Sequence, residues 1–275
     1  MAQLNNKRKE FNPAEQVEAI INFIKNYFVE NGNPNTKAVI GISGGKDSTI
    51  AAALLVRALG PDRVVGVLMP ENTQKDIDDA KAVCKLLDIK YHVVNIGYTC
   101  TALYEDFMNS TDYEITSQIR TNTPARIRMS VLYMVATAIG GRVCNTGNAS
   151  ELFIGYTTKY GDLAGDFALL RNLTVREIYA IGDYLTELPT HLVHKDPADG
   201  MSGKTDEDNT GIPYDAIDDY LLDGIIPDTE IYQKMIAAYK RNIHKQVINL
   251  PAPQRTNYGL RRYRDDFWYD DGFCF

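Results

Sequence analysis

"KAVIGISGGKDST", residues 37–49, runs from an apolar stretch through a glycine pair into an alanine- and leucine-rich segment ending at Leu59. Residues 37–43 are short, apolar and β-branched at three positions. That is the pattern of a strand buried on both faces of a parallel sheet. Asp47 to Leu59 reads as a helix. The turn between them holds Gly44 and Gly45, which let backbone N–H groups approach an anion at a helix N-terminus. The Gly45-Lys46 pair invites comparison with a Walker A loop, but the match fails at both ends. Ile40 stands where the first glycine should be, and Asp47 where the metal-binding hydroxyl should be.

The flanking sequence extends the same architecture. "PAEQVEAIINFIKNYFVENG" (13–32) is apolar at 17, 20, 21, 24, 27 and 28, a helical spacing that stops at Gly32. A second strand is expected at 62–70, a helix at 75–89 and a third strand at 90–96. This alternation predicts an α/β fold with a doubly wound parallel sheet. A helix at about 124–139 leads to a fourth strand within "GRVCNTGN" (141–148). Residues 160–173 form a loop with room for a short strand, and a helix follows at 174–186. Thr174 and Glu177 make a capping-box pair at its start. Residues 194–213 are polar and turn-rich, the composition of a functional lid or an unstructured loop. Two helices are expected near 214–222 and 228–245, then a basic, aromatic tail. No repeat or linker divides the chain, so 1–275 reads as one domain with a helical and tail extension from about 214.

Composition narrows the function classes. With 44% hydrophobic residues the chain can bury a large core, and its net charge of −7 argues against general nucleic-acid binding. Cys84, Cys100, Cys144 and Cys274 form no C-x-x-C pair and read as packing thiols in a reducing compartment. The N-terminus lacks the apolar core of a signal peptide, and "MSVLYMVATAIGG" (129–141) is too short to span a bilayer. That segment reads as a buried core helix, and the protein as cytoplasmic and independent of membranes.

Asp47 is the informative residue of the opening loop. A carboxylate beside a phosphate repels it unless a cation lies between them, which is the role of Mg²⁺ at many phosphate sites. A second carboxylate on a neighbouring loop is then expected, and Glu151, just past the fourth strand in "NTGNASE", is placed to supply it.

The segment "SGGKDS" (43–48) resembles the S-G-G-x-D-S pyrophosphate loop of the N-type ATP pyrophosphatases. Further segments are similar, in order, to those of bacterial ammonia-dependent NAD synthetases. They are "LMPENTQKDIDDA" (68–80), "ARIRMSVLYMVA" (125–136), "NTGNASELFIGYTTKYGD" (145–162), "DPADG" with "TDEDNTGIPYDAIDDYL" (196–221) and "NIHKQ" (242–246). The resemblance covers about 15–250 and implies a Rossmann-like, adenine nucleotide alpha hydrolase-like fold. It implies conversion of deamido-NAD, ATP and ammonia into NAD, AMP and pyrophosphate through an adenylated carboxylate, by a homodimer.

By the same resemblance, Gly41, Ile42, Ser43, Gly44, Gly45, Lys46, Asp47, Ser48 and Thr146 bind ATP, with Asp47 and Glu151 as magnesium ligands. Arg126, Lys159, Asp166, His244 and Lys245 match positions that bind deamido-NAD. Asp47, Lys159 and Asp166 are the catalytic candidates, Asp166 as the group that binds ammonium and takes its proton. Each has a plainer reading. Glu151 is also a helix-start acid, Arg126 a solvated helix charge, Asp166 a turn cap, and His244 a residue complementing a helix C-terminus.

Two positions depart from the family pattern: Val175 replaces a usual lysine and Ala198 a usual Thr or Ser, with Arg176 or Arg171 as replacement cations. The alternatives are another ATP pyrophosphatase acting on tRNA, and a nucleotide-binding protein without turnover. The acidic charge and scattered cysteines weigh against the first.

Overall fold

A computed structural model describes residues 10–74, 77–195 and 205–246. The tail after 250, Cys274 and Ala198 lie outside the described residues. In chain order the first elements are α1 (Pro13–Glu30), β1 (Ala38–Gly41), α2 (Lys46–Leu59), β2 (Val64–Leu68), α3 (Ile77–Leu86) and β3 (Lys90–Val93). They are followed by α4 (Gly97–Ser110), α5 (Ser117–Ile139), β4 (Arg142–Asn145), α6 (Ala149–Ile154), β5 (Phe167–Ala168) and α7 (Val175–Tyr184). The last are α8 (Thr190–Val193), α9 (Asp206–Thr210), α10 (Tyr214–Asp223) and α11 (Thr229–Asn242), with short 3-10 turns at Pro61–Arg63 and Ile243–Lys245.

All strand pairings are parallel, in the order β3-β2-β1-β4-β5. The pleat sorts β1 by alternation. Ala38 and Ile40 join the core formed with α1, α2 and α7, whereas Val39 faces the opposite layer with Val67, Val143 and Ala136. Ile20, Ile24, Ile50, Leu54 and Ile178 are fully buried in the first layer. A separate cluster, built on Phe153, Ile217, Met235 and Tyr239, joins α6, α10 and α11. At one contact of that cluster, Gly155 adopts a φ of +67° and a Cβ there would run into Asn242.

Local signals hold up well. Asn12 caps α1 by accepting from the Ala14 and Glu15 N–H groups. The capping box of Thr174 and Glu177 forms as expected. Three readings need correction. The helix expected at about 124–139 begins at Ser117, capped by Thr116. The segment 97–110, left unassigned in sequence, is α4, and 206–210 within the expected loop is α9. Finally, α5 is not a buried core helix: of its residues only Pro124 and Ala136 are buried, and Met134 is 70% exposed. Its apolar residues surround the axis, but the sheet covers just one side of it.

Candidate active site

Strand order reverses between β1 and β4: the chain winds outward from β1 to β3, then returns to the other side of β1. Open α/β sheets bind ligands at such a crevice, beyond the carboxyl ends of the strands. Two turns meet there. One leaves β1 after Gly41 and enters α2 at Lys46; the other leaves β4 after Asn145 and enters α6 at Ala149.

The first turn is held by its own polar groups. Gly44 has a φ of +85°, a backbone state that side chains strain. The Gly45 N–H donates to Ser43 Oγ at 3.2 Å, the Ser43 N–H to Ser48 Oγ at 3.3 Å, and Thr49 Oγ1 to the Gly45 carbonyl at 2.8 Å. Gly45 is the N-cap of α2 and has no side chain to accept from the first-turn N–H groups. Those donors and the positive helix end suit an anion.

Asn148 ties the two turns together. Its Nδ2 donates to Asp47 Oδ1 at 3.4 Å, while its backbone N–H donates to Glu151 Oε2 at 3.2 Å. Asp47 and Glu151 thus share a neighbour from opposite sides of the crevice. Burial pushes the Glu151 carboxyl up to about 8, the Asp47 charge adds to the rise, and Lys46 opposes it. Two hard carboxylate donors on either side of an anion-binding turn fit a divalent cation. Among the described residues no group of three or more His, Cys, Asp or Glu side chains is arranged to hold a metal. Two oxygen donors beside an anion-binding turn suit a cation that takes its remaining ligands from phosphate and water, as Mg²⁺ does. Glu151 also completes a capping box with Asn148, so its helix-start role and its place in the crevice coexist.

Lys46, the variable position of the motif, is only 3% exposed. Its Nζ lies 2.8 Å from Asp47 Oδ2 and 5.7 Å from the centroid of the Tyr179 ring. Burial works against its charge, but the Asp47 and Glu151 charges outweigh that and raise its pKa.

A second cluster of candidates meets at the far end of the 155–162 segment. Arg126 Nε donates to the Lys159 carbonyl at 3.2 Å, and Lys159 Nζ donates to the His244 carbonyl at 2.8 Å. Lys245 Nζ donates to the carbonyls of Gly155 and Thr157, both at 2.8 Å. Burial, and the Arg241 and Arg126 charges, lower the Lys245 pKa despite Asp162. Four of the residues expected to bind a dinucleotide are therefore brought together.

Asp166 is held elsewhere. Its Oδ2 accepts from the Val143 N–H at 2.7 Å and its Oδ1 from the Tyr133 hydroxyl at 3.3 Å. Burial first, then Asp166, pushes the Tyr133 phenol up to about 12. Thr146 is half-buried in the turn after β4. Val175 packs in the cluster of Phe153 and Ile217. Arg176 pairs with Asp219 at 2.8 Å and Asp215 at 3.4 Å on α10, so its charge is already engaged.

A buried network fixes α6 and α7 against α10. Ser150 Oγ donates to Asp218 Oδ1 at 2.5 Å, the Arg176 N–H donates to Asp218 Oδ2 at 2.8 Å, and the Val175 N–H donates to Ser150 Oγ at 3.1 Å. Burial pushes Asp218 up to about 6, against the lowering effect of the Ser150 and Arg176 hydrogen bonds. An acid with a raised folded pKa binds its proton more tightly when folded. Its contribution to stability is full below the unfolded value near ~4 and is lost as pH rises through the folded value. Between pH 5 and 7.5 the wild type should lose about 1–2 kcal/mol from this group. Asp218→Asn should abolish that part of the slope in denaturant titrations; an unchanged slope would reject the assignment.

Sequence reasoning missed Asn148 and Tyr179. The Asn148–Glu151 spacing is a legible capping signature. Nothing local marks Tyr179, which reaches Lys46 only through the packing of α7 on α2.

Comparison with known proteins adds an independent line. The NAD synthase family model matches residues 16–258. The NH(3)-dependent NAD(+) synthetase of Pyrococcus furiosus is 36% identical over 214 residues, covering 78% of this chain and 79% of that protein. The one from Methanocaldococcus jannaschii is 35% identical over 260 residues, covering 89% and 91%. Among solved structures, an NMN synthetase from Francisella tularensis superposes with a TM-score of 0.78 at 32% identity, covering 88% of this chain and 98% of that one. An NH3-dependent NAD synthetase from Campylobacter jejuni superposes at 0.69 with 28% identity, covering 87% and 98%.

Proposed function

The chain belongs to the NAD synthase family, and from that premise we propose that it makes NAD from deamido-NAD, ATP and ammonia. The observation that carries the reading is the meeting of Asp47, Glu151 and the 43–48 turn at the crevice between β1 and β4. The nicotinic carboxylate is a poor electrophile with a poor leaving group. Its oxygen attacks the α-phosphorus of ATP, the bond to the bridging oxygen breaks, and pyrophosphate leaves. Ammonia attacks the resulting acyl carbon, loses a proton and expels AMP.

The protein's part is to position the reactants and neutralise charge. The turn at 43–48 and the α2 N-terminus hold the ATP phosphates, with Thr146 at the opposite rim. Asp47 and Glu151 would hold Mg²⁺. When bound, this ion offsets phosphate charge and stabilises the departing pyrophosphate. Arg126, Lys159, His244 and Lys245 receive the dinucleotide, whose own pyrophosphate needs cations. Asp166 accepts one hydrogen bond on each oxygen, which orients it beside β4 and leaves further acceptor sites for the dinucleotide or an ammonium ion, the role we propose for it. Incubation with deamido-NAD, MgATP and ammonium should yield NAD and pyrophosphate. A folded protein that yields no NAD would overturn the reading.

A second acyl substrate has one observation behind it. The Francisella structure, with its TM-score of 0.78, is an NMN synthetase, so the mononucleotide counterpart is the competitor to test. Equal amounts of nicotinate mononucleotide and deamido-NAD in one reaction would decide by the ratio of amidated products.

We further propose a single-domain, cytoplasmic homodimer formed through α4 and α5. Met134, Leu103, Met108 and Tyr98 are exposed on these helices, and among the described residues nothing covers them. Burying such an apolar surface favours self-association. Met134→Glu would place an unpaired charge in that interface and should shift sedimentation to the monomer. An unchanged dimer, or a wild-type monomer, would reject this surface.

A further inference from the structure

We propose that the Lys46 ammonium is the resident counter-ion of the Asp47–Glu151 pair, and that a divalent cation enters by displacing it from Asp47. The inference rests on Asp47 and Glu151 being cation ligands. Three features of Lys46 set it apart from a lysine that merely faces a phosphate.

First, it opens α2, where the positive end of the helix disfavours a cation. Second, its side chain is 2% exposed, although a four-carbon stem could carry the charge to water. Third, it contacts its own sequence neighbour. Adjacent residues on a helix diverge and do not normally face one another. Yet Lys46 Nζ meets Asp47 Oδ2 at 2.8 Å, with the Tyr179 ring on another side at 5.7 Å. Among the described residues, the carboxylates and the aromatic face are what compensate the two penalties.

A cation that takes Asp47 as a ligand competes with Lys46 for the same carboxylate. The displaced ammonium is not stranded. It remains at the mouth of the 43–48 turn, where a bound phosphate offers it new oxygen partners. Lys46 thus exchanges a carboxylate for a phosphate as the site fills. Bare-cation binding is weakened by the competitor, and the nucleotide lifts that penalty, which couples the two binding events.

The test measures Mn²⁺ binding alone, by calorimetry and electron paramagnetic resonance, on wild type, Lys46→Met and Asp47→Asn. Lys46→Met should bind bare Mn²⁺ about tenfold more tightly than wild type. It should also melt lower without metal and recover more on adding Mn²⁺. Lys46→Gln should behave alike, which guards against a packing defect peculiar to Met. If Lys46 serves phosphate alone, bare Mn²⁺ affinity will not move; if it serves packing alone, only the melting temperature will. Either result overturns the proposal. Asp47→Asn separates the two readings. Weaker Mn²⁺ binding there, with no gain in Lys46→Met, rejects the counter-ion and keeps the ligand pair. No loss in Asp47→Asn rejects the ligand pair, and the counter-ion with it.

Discussion

Asp47→Asn should lower the rate of NAD formation by roughly 10²- to 10³-fold or more, while the protein still folds. Asp47 faces Glu151 across the crevice and raises its pKa, so removing the charge also relieves a repulsion. Relief of that repulsion offsets the loss of the Lys46 ion pair, which keeps the fold. The contact with Asn148 tolerates the change, since the oxygen of the substituted amide can still accept from Asn148 Nδ2. Glu151→Gln should cost a similar amount of rate. Because the two act on one charge, the double variant should be little worse than the poorer single one. Rates are read from NAD and pyrophosphate release, and folding from circular dichroism. Activity within about tenfold of wild type in Asp47→Asn would reject its place in the chemistry.

The second large effect is expected at Lys159. Lys159→Met should raise KM for deamido-NAD roughly 10- to 100-fold, with KM for ATP unchanged. The ammonium sits on the His244 carbonyl and over the Tyr160 ring at 5.3 Å, while Arg126 holds the Lys159 backbone. This corner therefore brings cations from α5, the 155–162 segment and the end of α11 to one place. It is built by elements other than the 43–48 turn, which separates the two substrates. An equal rise in both KM values would mean that Lys159 supports the fold rather than the dinucleotide.

Much of the frame was legible because its causes are local. The strand at 38–41, the tight turn at Gly44, the helix from Lys46 and the capping box at Thr174 each depend on residues within a few positions. Steric limits on φ and short hydrogen-bonded rings act over that distance. The long helix α5 misled for a related reason. Apolar composition reports what a segment can bury, and the sheet chose which side of it was covered.

The family pattern in the sequence also singled out Asp47 and Glu151, which Asn148 links across the crevice. It could not say how they meet. Asp47 and Asn148 are 101 positions apart and touch because β4 lies beside β1. Lys46 looks identical in sequence whether it points to solvent or inward, and the packing of α7 against α2 put Tyr179 beneath it. Asp166, separated from Val143 by 23 positions, was claimed by a backbone N–H of β4. The sequence by itself determined the turn, its helix and the chemistry that they can host. The tertiary structure alone decided which charges share the crevice, because Coulomb and burial energies depend on distance in space and not along the chain.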